Sequence, residues 1–364
     1  MHSSIIAIAT ALPEFSVSTD TLVSHAKRFS CRNGKQERVL EELYRKTNIN
    51  SRHSVLNSAD YGKESERMFP LPVNEKDLGP GTAARMRCYE KESIPLATAA
   101  SASVIQKAGI DARQITHLVT VSCTGFFAPG FDVALIDQLA LSRRVERTHV
   151  GFMGCHGALN GIRVSNMIAK AEPGSTVLLC ATELCTLHFN YEWNANAILA
   201  NSLFADGAAS LLCTNTKTTQ KPICNIIDSA SMLVPNTTDA MSWQIGDHGF
   251  HMHLSSQIPE IIDECLLAFI EQWLSQNGMK ANDIANWAVH PGGPRILDAV
   301  ERSLGLREDA LAQSRLVLSE CGNMSSPTVL FILERLKLSG MSGPTVMLGF
   351  GPGLTIEATL LELL

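Results

Sequence analysis

Cys155 lies in the segment GFMGCHGALNGIRVSNMIAKA, where an apolar stretch runs into a turn of small residues and then into a long helix-patterned stretch. This pattern places the thiol at a junction between a strand and a helix. Free backbone N–H groups and the positive end of the helix dipole favour a thiolate there, so the cysteine pKa is expected to fall from ~8.5 by about a unit or more. Cys155 is therefore a candidate nucleophile. The alternative is a buried structural cysteine.

Two further segments place polar side chains at similar junctions. In NWAVHPGGPRILDAVE an apolar strand ends at His290, and Pro294 falls in the first turn of the helix that follows. This end of a strand is where α/β sheets collect their chemistry. In SECGNMSSPTVLFILERL, Asn323 occupies a turn of small residues between two helix-patterned segments. Cysteine, histidine and asparagine can together supply a thiolate nucleophile, an imidazole that donates to a carbonyl oxygen, and an amide that completes the oxyanion site.

The chain resembles the type III polyketide synthases, the chalcone and stilbene synthase family, in the ordered motifs GFMGCHGALNG, HPGGPRIL, GNMSSPT and GFGPGLTIE. The resemblance implies an acyltransferase that carries a starter acyl group on Cys155. His290 and Asn323 would hold the malonyl-CoA thioester while it loses CO2. The substrates are then acyl-CoA and malonyl-CoA, with no metal or organic cofactor. The implied fold is the α/β thiolase fold, with five αβαβα layers built from two related halves, in a homodimer.

The same resemblance assigns positions in a substrate cavity. Phe204 in NSLFADGAAS and Met252 in GFHMHL match the two gatekeeper positions, and methionine there leaves a more adaptable passage than an aromatic ring. The other cavity positions are Cys123, Thr124 and Ala128 in SCTGFFAPG, Cys185 and His188 in TELCTLHF, and Gly351 and Pro352 in GFGPG. Ala128 replaces a methionine that crosses to the partner subunit in the family. This set resembles bacterial alkylpyrone and alkylresorcinol synthases that use long-chain fatty acyl starters.

Coenzyme A needs cations for its phosphates, and the chain departs from the family here. Lys46 falls on one of the family's basic positions, whereas two others fall on Val39 and Glu42. Arg38, Arg45 and Arg295 are candidate substitutes. The alternative for each is an ordinary solvated side chain on a helix.

Strand and helix patterns alternate along the whole chain, which favours a layered α/β protein with mostly buried sheets. Strands are expected at 5–9, 117–123, 176–182, 208–214, 226–233, 287–290 and 346–349. Helices are expected at 35–46, 83–108, 133–141, 157–171, 259–276, 295–304 and 327–338. No linker divides the 364 residues, so a single unit of two halves, 1–217 and 218–364, is expected. Residues 57–81 are polar and predict a surface excursion.

Composition excludes several functional classes. The chain has 30 basic and 36 acidic residues, and no basic run suggests a nucleic-acid partner. Ten scattered cysteines without a CxxC pair indicate reduced thiols in the cytoplasm. No run of ~18 apolar residues predicts a membrane span, and SIIAIATALP reads as a first buried strand. The histidines of GDHGFHMHL, at 248, 251 and 253, lack the carboxylate or thiolate ligands that a metal site usually adds.

Two other functions stay open at this stage. A ketoacyl-carrier-protein synthase of the initiating kind also uses cysteine, histidine and asparagine on a thiolase fold, and would accept malonyl groups from an acyl carrier protein. A catalytically silent scaffold that binds acyl-CoA or a protein partner is the alternative from a different class. The presence of Cys155, His290 and Asn323 together argues against the scaffold.

Overall fold

The computed structural model describes residues 3–56, 68–216 and 221–364. The expected boundary at 217 and residues 57–67 of the expected excursion lie outside this range. The strands β1 to β13 are Ser3–Ala11, Ser16–Ser18, Ser51–His53, His117–Ser122, Glu146–Gly151, Thr176–Leu184, Asp206–Thr214, Cys224–Leu233, Met241–Gly246, Gly249–Leu254, Asn286–Val289, Gly343–Gly351 and Thr355–Leu363. The helices α1 to α10 are Thr19–Ser30, Gly34–Arg45, Thr82–Ala108, Phe131–Gln138, Gly157–Ala171, Ala195–Leu203, Ile258–Gln276, Pro294–Leu304, Ala312–Cys321 and Thr328–Leu338.

A mixed sheet of nine strands forms the centre of the fold, in the order β11-β12-β13-β8-β1-β7-β6-β4-β5. Its two parts meet where β1 pairs with β8 through Ser3, Ser4 and Ile5 only. On one side β1 pairs with β7 along most of its length. On the other side β8 pairs with β13 from Cys224 to Leu233. The narrow junction lets each part of the sheet pack its own layers of helices.

Helices cover both faces of each part of the sheet. Helices α5 and α10 lie between the two parts, because Leu159, Ile162, Leu330 and Leu333 belong to one buried cluster that contains residues of both. The first part packs its other face on α3 and α4. The second packs its other face on α7 and α8. The result is the expected five-layered αβαβα thiolase fold.

The predicted strands and helices are present, with ends that differ by a few residues. Helix α9 and strands β2, β3, β5, β9, β10 and β13 were not among the predicted ranges, and helices α1 and α6 were also missed. Each begins at a capping side chain: Ser18 accepts from the N–H of Thr21 at 3.3 Å, and Asn194 accepts from the N–H of Ala197 at 2.8 Å. Within the described ranges, no helix is both long enough and apolar enough to cross a bilayer.

Candidate active site

Cys155 lies in a tight turn between β5 and α5, at the predicted strand-to-helix junction. The backbone of this turn is left-handed at two positions, Phe152 with φ 59° and Gly154 with φ 71°. A side chain at Gly154 would place its Cβ 2.5 Å from Cδ of Pro352. Glycine is therefore required at this position, both for the backbone conformation and for the close approach of the loop after β12.

The expected depression of the Cys155 pKa is wrong. Burial raises the pKa of the thiol to about 12, and hydrogen bonds from Ser325 and Asn323 oppose that shift. Cys155 itself is half-buried, and the groups packed around its sulfur destabilise a thiolate by desolvation more than the helix terminus stabilises it. The resting side chain is thus a neutral thiol, and a nearby base must take its proton when it reacts.

His290 follows β11 directly, and its backbone N–H donates to the carbonyl of Leu348 on β12 at 2.8 Å. The imidazole is buried, with 1% of its surface exposed. Neither ring nitrogen has a hydrogen-bond partner among the described residues. Burial lowers the His290 pKa to about 3, with a smaller contribution from His156. His290 is therefore a neutral imidazole, and one of its nitrogens can donate while the other accepts.

Asn323 lies in the turn between α9 and α10, and its backbone is fixed by residues before β7. Its N–H donates to the carbonyl of Leu203, and its carbonyl accepts from the N–H of Ala205, both at 2.9 Å. Its side-chain Oδ1 accepts from the backbone N–H of Ser325 at 2.8 Å. The amide nitrogen of Asn323 consequently faces Cys155, to which the side chain is hydrogen-bonded.

A small chamber of about 40 Å³ surrounds the sulfur of Cys155. Its lining includes six of the predicted cavity residues, namely Cys123, Thr124, Cys185, Phe204, Met252 and Pro352. The strands explain this convergence, because β5, β4 and β6 are parallel neighbours and Cys155, Cys123 and Cys185 follow their carboxyl ends. The structure thus brings the nucleophile candidate together with most of the predicted wall.

Glu183 is a residue that the sequence analysis missed. This wholly buried carboxylate accepts from the hydroxyl of Thr124 at 2.6 Å and from the hydroxyl of Ser326 at 2.7 Å. It also accepts from the backbone N–H groups of Cys123 and Thr124, each at 3.0 Å to Oε2. Burial raises the pKa of Glu183, and the hydrogen bonds oppose this rise. Glu183 holds two walls of the chamber together. A lone acid at the end of the apolar strand TVLLCATEL was the available signal.

A larger cavity of about 380 Å³ adjoins the chamber. The two share Cys185, Phe204, Trp243 and Met252 as lining residues. Its further walls come from α1, α6 and β10, with Leu22, Leu56, Phe69 and Phe189 among its apolar members. Its volume falls in the range of small-molecule pockets, ~300–1,000 Å³. An apolar chain attached to Cys155 would extend into this cavity.

Trp243 is the second residue that the sequence analysis missed. It lies on β9, and its indole N–H donates to the carbonyl of Cys123 at 2.7 Å, which fixes the ring between the two cavities. Its ring meets the His188 ring edge-on, with centroids 5.4 Å apart. The available sequence signal for Trp243 was the pair of strand-like segments MSWQIG and GFHMHL, which are separated by two residues and predict a hairpin. The sequence alone did not say which face of that hairpin meets Cys155.

His188 lines the larger cavity, but both its ring nitrogens are used within the protein. Nε2 donates to the carbonyl of Thr124 at 2.6 Å, and Nδ1 accepts from the N–H of Phe250 at 3.0 Å. These partners fix the tautomer. Burial lowers the His188 pKa to about 3, so the ring is neutral. The two hydrogen bonds of His188 connect the loop at Thr124 to β10, the strand that contains Met252.

Two predicted cavity residues lie elsewhere. Ala128 lines a separate cavity of about 710 Å³, together with Tyr89, Phe131 and His149. Gly351 faces His156 instead of the chamber, since a Cβ on Gly351 would lie 2.7 Å from Nε2 of that ring. Neither residue belongs to the lining of the Cys155 chamber within this chain.

Three of the candidate CoA cations are exposed and already paired with acids. Lys46 contacts Glu42 at 2.7 Å, and Arg45 contacts Glu41 at 2.6 Å. Arg295 lies 3.3 Å from Glu260. Exposed pairs of this kind are weak, so a phosphate can compete for each cation. Arg45 and Lys46 line an open groove on α2, whereas Arg295 lies in the first turn of α8.

The histidines of GDHGFHMHL do not converge. Nδ1 of His251 lies 3.2 Å from the side-chain nitrogen of Asn190, and Nδ1 of His253 lies 3.0 Å from that of Asn196. Nδ1 of His248 lies 2.8 Å from the carbonyl of Gly79. Among the described residues, no group of three or more histidine, cysteine or acidic side chains is placed to hold a metal ion.

Comparison with known proteins places this site in a family. The family model for the N-terminal domain of chalcone and stilbene synthases matches residues 2–216, and the model for their C-terminal domain matches residues 225–364. Among curated proteins, the alpha-pyrone synthesis polyketide synthase-like Pks18 of Mycobacterium tuberculosis is 30% identical, over 98% of this chain and 90% of that protein. Type III polyketide synthase C of Arabidopsis thaliana is 32% identical, over 99% and 95%.

Solved structures agree with this assignment. PKS-I from the brown alga Ectocarpus siliculosus superposes with a TM-score of 0.91 at 29% identity, and the match covers 100% of this chain and 98% of that one. The C-terminal type III polyketide synthase domain of Steely1 from Dictyostelium gives a TM-score of 0.90 at 26% identity, covering 100% and 99%. The chain therefore belongs to the chalcone and stilbene synthase family, and it is a type III polyketide synthase, a transferase.

Proposed function

We propose that this enzyme loads a long-chain acyl group from acyl-CoA onto Cys155 and extends it with malonyl-CoA by decarboxylative condensation. The extended chain then cyclises to an alkylpyrone or alkylresorcinol. The observation that carries the proposal is the Asn323 side chain, which accepts from Ser325 through Oδ1 and is hydrogen-bonded to Cys155. The second donor is the buried ring of His290 at the end of β11, which has no hydrogen-bond partner among the described residues.

Loading begins with a neutral thiol and a neutral imidazole. As the Cys155 sulfur attacks the starter thioester, its proton passes to His290, and the CoA thiolate that leaves takes this proton. Malonyl-CoA then binds with its thioester carbonyl between His290 and Asn323. Both donors stabilise the enolate that forms as CO2 departs, and fixed donors in a dry site cost no reorganisation. The enolate carbon attacks the acyl thioester, and Cys155 is released and takes up one proton.

This sequence of steps needs no metal and no organic cofactor. The sulfur carries the acyl group, the departure of CO2 supplies the carbanion, and the two donors hold its charge. After each condensation the extended chain leaves as its CoA thioester and reloads onto Cys155 for a further round, and the proton that Cys155 regains comes from solvent.

The adjoining cavity supports a long-chain starter. The chamber of about 40 Å³ is too small for more than a few carbon atoms beyond the thioester. The larger cavity next to it is mostly apolar and is reached past Phe204, Trp243 and Met252. An alkyl tail that leaves water for this cavity gains about 0.8 kcal/mol for each CH2 buried. The gain favours long acyl chains over short ones.

For CoA, the proposal places its phosphates on the groove of α2 that contains Arg45 and Lys46, with Arg295 on α8 as a further candidate. Each cation would exchange its carboxylate partner for a phosphate oxygen. Breaking a weak exposed ion pair costs less free energy than a charge-assisted hydrogen bond to phosphate returns.

The proposal includes a homodimer. Strand β5 is the last strand of the sheet beside β4, and its residues from Glu146 to His149 are exposed. Two aromatic side chains flank Phe250 near this edge, Phe126 with 53% and Phe152 with 39% of their surfaces exposed. Open sheet edges with adjoining apolar side chains are surfaces that native proteins cover. A second copy of the chain would cover them, and sedimentation of the purified protein measures this directly.

The deciding experiment is mass spectrometry of the products from a panel of acyl-CoA starters incubated with malonyl-CoA. We expect extended, decarboxylated products from long-chain starters, and none from the Cys155→Ala protein. Malonyl groups delivered on an acyl carrier protein form a second arm. Products in that arm alone would identify a ketoacyl-carrier-protein synthase instead, and labelling of Cys155 without turnover would identify a binding scaffold.

A further inference from the structure

His156, the residue after the nucleophile, is buried with 2% of its surface exposed, and the proposed reaction does not use it. Its Nδ1 lies 2.7 Å from Oδ1 of Asn160, one turn along α5. The amide nitrogen of Asn160 donates to Oε1 of Glu357 on β13 at 3.0 Å. Glu357 is buried and also accepts from Arg163 at 2.5 Å and from Ser231 at 2.8 Å. A continuous hydrogen-bonded chain thus connects Glu357 to His156.

The direction of every bond in this chain is determined by Glu357. A carboxylate paired with Arg163 only accepts hydrogen bonds, so the Asn160 amide must turn its nitrogen toward it. The oxygen of Asn160 then faces His156, and that ring must carry a proton on Nδ1. The pKa of His156 is lowered, chiefly by burial. The hydrogen bond to Asn160 and the charge of Glu357 oppose this shift, and the charge of Arg163 adds to it. His156 is consequently neutral at pH 7, with the lone pair on Nε2.

The ring also touches the strand that lies beside His290. Gly351 at the end of β12 has no room for a Cβ, because it would lie 2.7 Å from Nε2 of His156. The same strand accepts the backbone N–H of His290 through Leu348. His156 is therefore packed between the turn that carries Cys155 and the strand end that positions His290. The charged and titratable groups around it are Glu357, Arg163 and His290.

We propose that His156 is a positioning residue for the Cys155 and His290 pair. Its neutral ring, held with the proton on Nδ1 by Asn160, sets the turn of Cys155 against β12 and so fixes the approach of the thiol to the imidazole. This inference rests on the proposed role of Cys155 as the nucleophile. It goes further in stating that the reactivity of Cys155 depends on the hydrogen-bonded chain from Glu357 through Asn160 to His156.

The test uses two substitutions that separate the ring from its proton. His156→Phe keeps the ring against Gly351 but loses the donor at Nδ1. His156→Asn loses the ring but keeps an N–H where Nδ1–H was. The readout is the rate at which iodoacetamide alkylates Cys155, followed by mass spectrometry of its peptide across a pH series. This measurement needs no substrate, so it stands even if the enzyme makes a different product.

We expect His156→Phe to slow Cys155 alkylation about tenfold and to shift its pH profile, because a small displacement of a reacting pair has large rate effects. His156→Asn keeps the donor but loses the ring that packs against β12, so its alkylation rate should fall between those of the wild type and His156→Phe. The control is Asn166→Ser, which changes another buried asparagine of α5 that accepts from Ser3. A wild-type rate and pH profile in a folded His156→Phe protein would overturn the proposal.

A second measurement covers the case in which His156→Phe does not fold. Nitrogen-15 NMR of histidine-labelled wild-type protein reports which ring nitrogen carries the proton, and the His156 signals are those lost in His156→Asn. Protonation at Nδ1 supports the proposal, and protonation at Nε2 overturns it. If the labelling and NMR results hold but the wild type makes no condensation product, only the proposed function fails.

Discussion

The backbone N–H of Ser325 donates a 2.8 Å hydrogen bond to the side-chain Oδ1 of Asn323, and this bond determines which end of the amide faces Cys155. Ser325 makes it from a left-handed backbone conformation, with φ 58°. A non-glycine residue in that region is uncommon and costs about 1–3 kcal/mol. This strained turn is where the Ser325 hydrogen bond orients the Asn323 amide N–H toward the sulfur of Cys155.

Asn323→Asp should suppress malonyl-CoA decarboxylation by about 100-fold, equivalent to about 2.7 kcal/mol of barrier. The carboxylate has nearly the same shape and still accepts from Ser325, but it has no N–H for the enolate oxygen. The measurement is CO2 release from labelled malonyl-CoA without a starter. An aspartate variant that releases CO2 at the wild-type rate would remove Asn323 from the oxyanion site.

Cys155→Ala should abolish polyketide formation but retain part of the decarboxylation activity. His290 and Asn323 still hold the malonyl carbonyl when the sulfur is gone, so the loss falls on loading and on carbon–carbon bond formation. Product analysis and CO2 release from the same protein sample separate the two effects. Condensation products from the alanine protein would show that another group carries the acyl chain.

The positions of Cys155, His290 and Asn323 in the fold could be predicted from sequence because each lies at the end of a regular element. Local patterns of small residues, followed by helix periodicity, mark such ends. Glu183 and Trp243 could not be found in this way. Their roles arise from contacts with segments distant in the chain, such as the 2.7 Å bond from Ser326 to Glu183 and the bond from Trp243 to Cys123.

The protonation state of Cys155 shows a second limit. A helix terminus can be recognised in the sequence, and it favours a thiolate. The extent of burial cannot be recognised, since it depends on Ser325, Trp243 and Pro352 closing the chamber from three other elements. Burial has the larger effect on the thiol, and its pKa rises to about 12. Predictions of charge at a buried site therefore need the packing as well as the motif.

Acidification should destabilise the folded protein through His188 and His290. Burial lowers both pKa values to about 3, whereas an unfolded histidine titrates near 6.5. Between these values the unfolded state binds more protons, so each ring lowers the free energy of unfolding by about 1.4 kcal/mol for each pH unit below 6.5. Asp206 acts in the opposite direction, since burial raises its pKa to about 6 and the folded state then holds the extra proton.

Urea unfolding at a series of pH values between 5 and 7 measures this dependence. His290→Gln should reduce the slope of unfolding free energy against pH by about 1 kcal/mol per unit, averaged over this range, because one buried titrating ring is gone. The comparison with wild type removes the contributions of all other groups. Equal slopes in the two proteins would mean that His290 is protonated as easily in the folded state as in the unfolded one.

Trp243→Ala should broaden the range of acyl starters. The indole ring stands between the chamber at Cys155 and the larger cavity, and its removal would join them. Trp243→Phe serves as the control, since it keeps an aromatic ring but loses the hydrogen bond to Cys123. Product spectra with branched and straight acyl-CoA starters provide the measurement. An alanine variant that accepts only the wild-type starters would show that the ring does not limit access.

Met252→Phe should shift preference from long to short acyl starters. Met252 lines both cavities, and a thioether chain can move aside where a rigid ring in a close-packed passage cannot. The measurement is a competition between hexanoyl-CoA and palmitoyl-CoA, scored by the ratio of their products, with Met252→Leu as a control of similar volume. We expect the ratio to move toward the hexanoyl product by about tenfold in the phenylalanine protein, which corresponds to ~1.4 kcal/mol of lost tail burial. An unchanged ratio in a folded Met252→Phe protein would place the control of starter length on Trp243 and Cys185 instead.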